Sequence, residues 1–565
     1  MDDPKICLLG DRALLVTLSQ EISEATNEIV LSACDLIESA QIPGVEEAQP
    51  AYSSFCIHFN PSKVSAAWLG AYAKGIIHRL RKAGVTGGEG VYGRETHPDS
   101  GVTAAAVKRR LVEIPVQYGG EEGPDLAWAS EHLKMQPEEI VRRHAGSRYR
   151  VYMIGFSPGF PYLGGLDQSI AMPRTPTPRT SVPPGSVGIG GGQTGIYPWQ
   201  SPGGWRIIGR TPLKLFDPAR KDPSLLHPGD TVRFVPVGRP PDLWDGHPTP
   251  ADKSEGHAKS ARPGVPAFLV EHPGLLSLVV DDGRRGYRKL GVPLGGAADA
   301  NSYALANRLC GNKPSDPALE MTLWGVRMRV LVDAVVAVTG APCPVDLDGK
   351  PVSMNEPVQV REGSVLEVGS PTSGCRMYLA VSGGFGVPRV LGSATTCFRG
   401  SFGGYGGRSL LRGDVLEIGP GAWPEGHPCT VPDEAAGWPG RLSRFLDSDP
   451  PSLRVIPGPE STSPAGRSFM DSLCDRVFGV SSDTDRMGIR LEGSIPQEDG
   501  EAGDILSSPV VPGVIQLPSD GRPVLLLQDA QTSGGYRRIA TVMDEDLPLA
   551  GQLRPGSRVR FTRRG

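Results

Sequence analysis

Apolar residues in this chain recur mostly at every second position, in short runs separated by Gly and Pro. That is the pattern of strands joined by tight turns. Helical spacing is confined to a few places. Ile22, Ala25, Ile29, Ala33 and Ile37 predict a helix over Ile22 to Ala40, lying between the strands ALLVTL and SSFCIHF. A second helix runs from about Ser62 to a stop at Gly84, so residues 1–85 read as a small α+β domain. The segment 111–237 reads as mainly β with two short helices. Asp125 caps the first, and Pro137 with Glu138 and Glu139 opens the second, as first-turn chemistry favours. From Phe268 onward the pattern is again β, interrupted by helices over Asp299–Cys310 and roughly Pro464–Phe478. Polar stretches at 86–110, 238–266 and 421–450 read as linkers, leaving β segments of barrel size at 111–237, 267–420 and 451–565.

One block occurs twice. PPGSVGIGGGQTGIYPWQSPGGWRIIGRT spans Pro183 to Thr211, and VPGVIQLPSDGRPVLLLQDAQTSGGYRRIAT spans Val511 to Thr541. Both begin at Pro-Gly, pass through a Gln and close on Gly-Gly-aromatic-Arg. Each leads to a Pro-Gly-x-x-Val-Arg-Phe strand, HPGDTVRF at 227–234 and RPGSRVRF at 554–561. The repeat predicts duplicated β-barrels whose matched loops face a common cleft.

Composition narrows the class. The 565 residues carry a net charge of −4, so no nucleic-acid footprint is implied. Gly (74) and Pro (55) are abundant, yet 39% of residues are hydrophobic, which fits turn-dense β structure better than disorder. Nine Cys with no C-x-x-C pair argue against a zinc ribbon or a disulfide scaffold. No apolar run approaches the ~20 residues of a membrane span, and MDDPKICLLG lacks the layout of a secretory signal. The expectation is a soluble cytoplasmic protein with no metal, no membrane contact and no nucleic-acid partner.

Two tempting motifs fail on local geometry. GFSPG at 155–159 matches the nucleophile elbow, but Pro158 and the following Gly-Phe-Pro cannot start the helix that motif needs. Gly190, Gly192 and Gly195 match G-x-G-x-x-G, but Tyr197-Pro198 and Pro202 forbid the helix that would hold a pyrophosphate. A backbone anion nest is the weaker claim left there. No G-x-x-x-x-G-K-Ser/Thr loop and no metal-spaced His cluster occur. Lys134-Met135 lacks the Met-Lys-Met of a biotin acceptor, so the chain carries no biotin of its own.

HAGSRYRVYMIGFSPGFPYLGGL, PRTPTPRTSVPPGSVGIGG and YPWQSPGGWRIIGRTPL closely resemble allophanate hydrolase subunit 1 domains, also called Kip inhibitors or the B subunit of prokaryotic-type 5-oxoprolinase. DDGRRGYRKLGVPLGGAADANSYALANRLCGN, ALEMTLWG, YLAVSGGFGVPRVLGS, SDTDRMGIRLEG and LLLQDAQTSGGYRRIA resemble the allophanate hydrolase subunit 2 family, the Kip antagonist or C subunit of 5-oxoprolinase. The chain thus resembles a fusion of the two, departing from the usual pattern at Asp282, Arg285, Ala298, Arg537 and the Thr395-Thr396-Cys397 run. The resemblance implies a mainly β protein with an α+β N-terminal domain and tandem cyclophilin-like β-barrels, one in the first half and a related pair in the second. It implies ATP-dependent opening of 5-oxo-L-proline to glutamate with a separate A-subunit-like protein of 5-oxoprolinase, ATP being a co-substrate. The alternatives are the carboxyltransferase part of a biotin-dependent urea carboxylase, its carboxybiotin supplied by another protein, and a non-catalytic regulator that binds a histidine kinase.

Both reactions act on a small amide-like compound and develop negative charge on oxygen, which calls for cationic or N–H donors and a proton-handling group. Arg suits such anions because its fork is planar and always charged. Within the family motifs, His144, Arg179, Arg210, Gln193, Asp529 and Gln531 are the catalytic candidates. Arg174, Tyr197, Arg284, Asp299, Arg486, Gln516 and Tyr536 are the substrate-binding ones. Bland roles compete: Asp299 as a helix cap, Arg486 as a solvated pair with Asp483 or Asp485, His144 at a helix C-terminus, and Trp199 and Trp205 as barrel core.

Overall fold

The computed structural model describes residues 3–85, 110–238, 264–419, 436–462, 464–497 and 505–564. The expected linker residues 86–109, 239–263 and 420–435 lie outside the described residues. The N-terminal domain is a four-stranded antiparallel sheet in the order Lys5–Leu8, Ala13–Thr17, Ser54–Phe59, Val45–Pro50. Helices Glu24–Ser39 and Ala66–Lys82 bury Ile29, Ala33, Ile37, Ala73 and Ile77 against it. Both begin on a serine, Ser23 and Ser65, whose hydroxyl accepts a backbone N–H of the first turn.

The two repeated blocks build two closed seven-stranded barrels with one strand order. Around the first run Gln193–Ile196, Pro161–Gly164, Tyr149–Ile154, Thr231–Pro236, Leu111–Tyr118, Arg206–Arg210 and Ser186–Gly190. Around the second, in the same sense, run Val524–Leu526, Gly488–Glu492, Val477–Val480, Arg558–Arg563, Ser452–Pro457, Arg537–Val542 and Val514–Leu517. In each, the Pro-Gly-x-x-Val-Arg-Phe strand pairs in parallel with the strand that opens the barrel. Two helices lie in the first barrel at Leu126–Leu133 and Pro137–Gly146, where the second has a short helical turn and Pro464–Cys474.

Residues 264–419 form no third closed barrel. Six- and five-stranded sheets pack face to face around Phe268, Met321, Met328, Val336, Leu366 and Leu379. Helix Ala300–Leu309 covers the outer face of the five-stranded sheet through Leu305, Ala306 and Leu309. Both arrangements use strands with apolar alternation; what separates them is whether the last hydrogen-bonded edge closes, a non-local matter.

Three local expectations change. The helix expected over 464–478 ends at Cys474, because Val477–Val480 is already paired with Gly488–Glu492 and Arg558–Arg563. Asp125 stands at the N-cap but makes no side-chain capping bond; its carboxylate accepts from Ile207 N (2.6 Å) and Arg179 Nη2 (2.7 Å). Part of the expected connector 421–450 is helix Trp438–Leu446, and its Trp438, Leu442 and Phe445 sit in the core of the second barrel. Among the described residues no helix is long and apolar enough to cross a membrane, and no group of three His, Cys, Asp or Glu is placed to hold a metal.

Candidate functional site

The halves interlock through the first half's GFSPGF loop. Gly159 N donates to Leu290 O (2.9 Å), and Ile154 bridges Leu290 in parallel. Phe216 stacks on Phe402, 5.9 Å between ring centroids, within an apolar cluster drawn from both halves. Gly291 has φ of 76°, and a Cβ there would collide with the Ser157 carbonyl. Gly155 is held as tightly from the other side by Ser533 of the second barrel. No helix follows Ser157, as its prolines foretold.

A cavity of about 150 Å³ opens where these pieces meet. The first half contributes Phe156, Ser157 and Pro158. The two-sheet domain contributes Leu276 and Leu278, then Gly291 and Pro293, and Cys397 with the exposed Phe398 and Arg399. The second barrel contributes Asp485–Met487 and Asp529–Gln531. Phe156 holds φ of 65°, a left-handed conformation uncommon outside glycine, so the loop is held there by its surroundings.

The shared strand order explains the symmetry of this arrangement. Residues 155–160 join the second and third strands of the first barrel, and 481–487 join the equivalent strands of the second. Equivalent loops therefore face each other across the cavity. Counting back from each Gly-Gly pair, Ala530 takes the place that Trp199 holds in the first barrel. Trp199 fills its position, donating Nε1 to Pro158 O (2.8 Å), whereas Ala530 leaves space. The expectation that both repeated blocks line the cleft is half met: the second does, but the first half's wall is the 156–158 loop.

Charge at the cavity is organised by Arg486. It is buried, not a solvated partner of Asp483 or Asp485. Its Nε and Nη2 clasp both Asp529 oxygens (2.8 and 3.0 Å), Nη1 meets Glu320, and Nη2 also donates to Gly296 O (2.6 Å). Burial pushes the Glu320 carboxyl up, but Arg486 and Arg376 more than reverse this and hold it below the usual range. Glu320 also accepts from Ala298 N and Tyr378 Oη, both at 2.8 Å. Sequence reasoning passes over Glu320, although its ALEMTLWG run stands out; an acidic residue inside an apolar strand is the signal.

The other candidates fall into two groups. Near the cavity, Gln531 donates to Gln516 Oε1 (3.3 Å), and Arg284 is buried behind the Cys397 wall. Asp299 caps helix Ala300–Leu309, its oxygens accepting from Ser302 N (2.9 Å), Ser302 Oγ (2.6 Å) and Gln552 Nε2 (2.7 Å). Burial raises its carboxyl to about 6 despite those bonds.

Away from the cavity, Arg179 pairs with Asp125, and Arg210 with Glu122 (3.2 Å) and Pro184 O. Gln193 donates to Tyr52 Oη, tying the first barrel to the N-terminal domain. Tyr197 packs with Phe160 and Trp205, Arg174 is exposed nearby, and Tyr536 is exposed. The glycines of the G-x-G-x-x-G stretch form a hairpin: a Cβ at Gly190 or Gly195 would crowd the Trp205 ring, and Gly191 N is spent on Met172 O.

His144 is fully buried in the first barrel, bonded to Tyr118 Oη (2.8 Å) and Thr194 Oγ1 (2.9 Å). Burial lowers its pKa to about 3, so the folded ring is neutral where the unfolded ring, near 6.5, gains a proton. The sign follows: its contribution is complete above pH 6.5 and is lost as pH falls toward 3, at up to about 1.4 kcal/mol per pH unit. Wild type is expected to lose up to about 2 kcal/mol more than His144→Gln between pH 6.5 and 5, read from urea midpoints at each pH.

Comparison with known proteins places both halves. Residues 4–226 match the carboxyltransferase domain, subdomain C and D, and residues 290–563 match the carboxyltransferase domain, subdomain A and B. Over 231 residues the chain is 41% identical to the B subunit of 5-oxoprolinase from Bacillus subtilis, covering 40% of this chain and 91% of that protein. Over 288 residues it is 35% identical to the C subunit of 5-oxoprolinase from Escherichia coli, covering 51% of this chain and 88% of that one. A urea amidolyase of Lachancea kluyveri is 33% identical over 52% of this chain, but only 17% of that much longer protein is covered. The crystal structure of TTHA0988 matches 98% of this chain and 99% of its own with a TM-score of 0.77 at 34% identity. With each half matched along its length and both joined around one cavity, the chain belongs to the carboxyltransferase-domain family, as a fusion of the halves found in the B and C subunits of 5-oxoprolinase.

Proposed function

We propose that this chain supplies, in one polypeptide, the B and C subunits of an ATP-dependent 5-oxoprolinase that opens 5-oxo-L-proline to L-glutamate with a separate A subunit. The observation that carries the reading is double. Two different components of one enzyme account for the two halves, and the cavity is walled by both. Ring opening adds water to the lactam carbonyl, breaks the C–N bond and delivers a proton to nitrogen. Asp529, oriented by the Arg486 fork, is suited to take the proton of the attacking water. The Gln531 amide is suited to donate to the carbonyl oxygen as charge develops on it. ATP enters as co-substrate of the assembly.

The similarity to urea amidolyase favours a second reading, transfer of a carboxyl group from carboxybiotin on another protein to urea. One pair of assays separates the two. The chain, copurified with an A-subunit-like protein, is expected to release glutamate from 5-oxoproline with stoichiometric ATP hydrolysis. Inactivity there, with carboxyl transfer to urea when a biotin carboxylase and carrier are supplied, would reverse the assignment.

A further inference from the structure

The cavity wall at Cys397 is backed by a buried cation that makes no ion pair within 4.0 Å among the described residues. Arg284 is 1% exposed. Its Nε donates to Val390 O (2.9 Å) and its Nη2 to Thr395 O (2.9 Å), and the guanidinium lies 4.9 Å from the Phe402 ring centroid. Nη1 has no hydrogen-bond partner. The other buried arginines are matched: Arg288 by Glu47, Arg376 by Glu320, Arg486 by Glu320 and Asp529, Arg538 by Glu460. Among the described residues Arg284 has no such ion pair within 4.0 Å.

An isolated buried charge is costly, and carbonyl dipoles offset only part of that cost. Arg284 grips the back of the 390–397 loop, whose Cys397 lines the cavity. Burial pushes the Cys397 thiol up to about 11, so it offers Arg284 no negative charge at neutral pH. Of the two carboxylates whose charge reaches Arg284, Asp281 is taken up by Arg389, Ser393 Oγ and Ala394 N, and Asp529 by Arg486. The positive charge behind the Cys397 wall is therefore left for a ligand.

We infer that Arg284 is the counter-charge for the carboxylate of a small cyclic substrate, which lies toward the Cys397 wall with its ring amide toward Asp529 and Gln531. This rests on the cavity being the lactam site. The chemistry selects an anionic lactam over a neutral one of the same ring. The alternative for Arg284 is a loop clamp with no ligand role, which would alter stability but not selectivity.

The test is calorimetric titration of the full chain with 5-oxo-L-proline and with 2-pyrrolidinone, the same ring without the carboxylate. Wild type is expected to bind 5-oxoproline about tenfold or more tightly than pyrrolidinone, an opposite charge held in a water-excluded wall being worth at least that. Arg284→Met should erase the preference, and Arg284→Lys should keep part of it. Equal affinity for the two ligands in wild type, which needs no variant to fold, overturns the inference and leaves the cavity reading standing. A preference that survives in folded Arg284→Met overturns it as well. Binding of neither ligand overturns the cavity reading and this inference together.

Discussion

Replacing Arg486 by Leu is expected to cost about 3–5 kcal/mol of stability and to abolish turnover in whatever fraction folds. The reason is the company Arg486 keeps. It joins Glu320, 1% exposed on the five-stranded sheet, to Asp529 on the second barrel, so its removal strands a carboxylate in the domain interface. Arg376 Nε, 3.5 Å from Glu320, offsets only part of that. The pH dependence follows. With Arg486 gone, burial raises the Glu320 pKa above its unfolded value, so the variant's deficit is small in acid and grows as pH rises through the raised value. Adding Glu320→Gln should recover part of the loss, because the buried charge goes with its partner. Urea unfolding of the four members of this cycle at pH 5 and 7.5 checks the claim. Additive losses would show that the two residues act independently.

The second large effect is expected from Ala530→Trp. The first barrel fills the corresponding place with Trp199, so an indole is compatible with this loop framework, and the cost in stability should stay within about 1–3 kcal/mol. The cavity of about 150 Å³, however, would be filled. Turnover with the A-subunit-like protein should fall at least about 100-fold, roughly 2.7 kcal/mol in transition-state terms. Glutamate release per mole of folded assembly, with melting temperature as the control, measures it. Full activity in a folded Ala530→Trp protein would remove the cavity from the mechanism.

Much of this architecture is legible in the residues because it is local. The helix predicted over 22–40 is Glu24–Ser39, since its apolar spacing and Ser23 cap agree. The paired blocks foretell duplicated barrels, and the two closed barrels they enter prove to share one strand order. The middle domain escapes such reading because closing a sheet depends on edges far apart in sequence. At the site, Asp529, Gln531 and Arg486 are visible in their motifs, but the true partner of Arg486 on the five-stranded sheet lies 166 residues away. Nearby Asp485 is the natural guess; instead it accepts from Met487 N and Gly488 N to form its own turn. The GFSPG loop draws notice for a chemistry its prolines forbid. Its role as a wall of the cavity depends on Leu290 and Gly291, which only the folded fusion brings beside it.

The central claim, that both halves build one lactam site, is tested most directly by a crystal structure of the full chain soaked with 5-oxo-L-proline. The expected result is ligand density between Phe156–Pro158 and Asp529–Gln531, with the ring amide within hydrogen-bond distance of Asp529 or Gln531. Density for the lactam elsewhere on the chain, with this cavity empty, would contradict it.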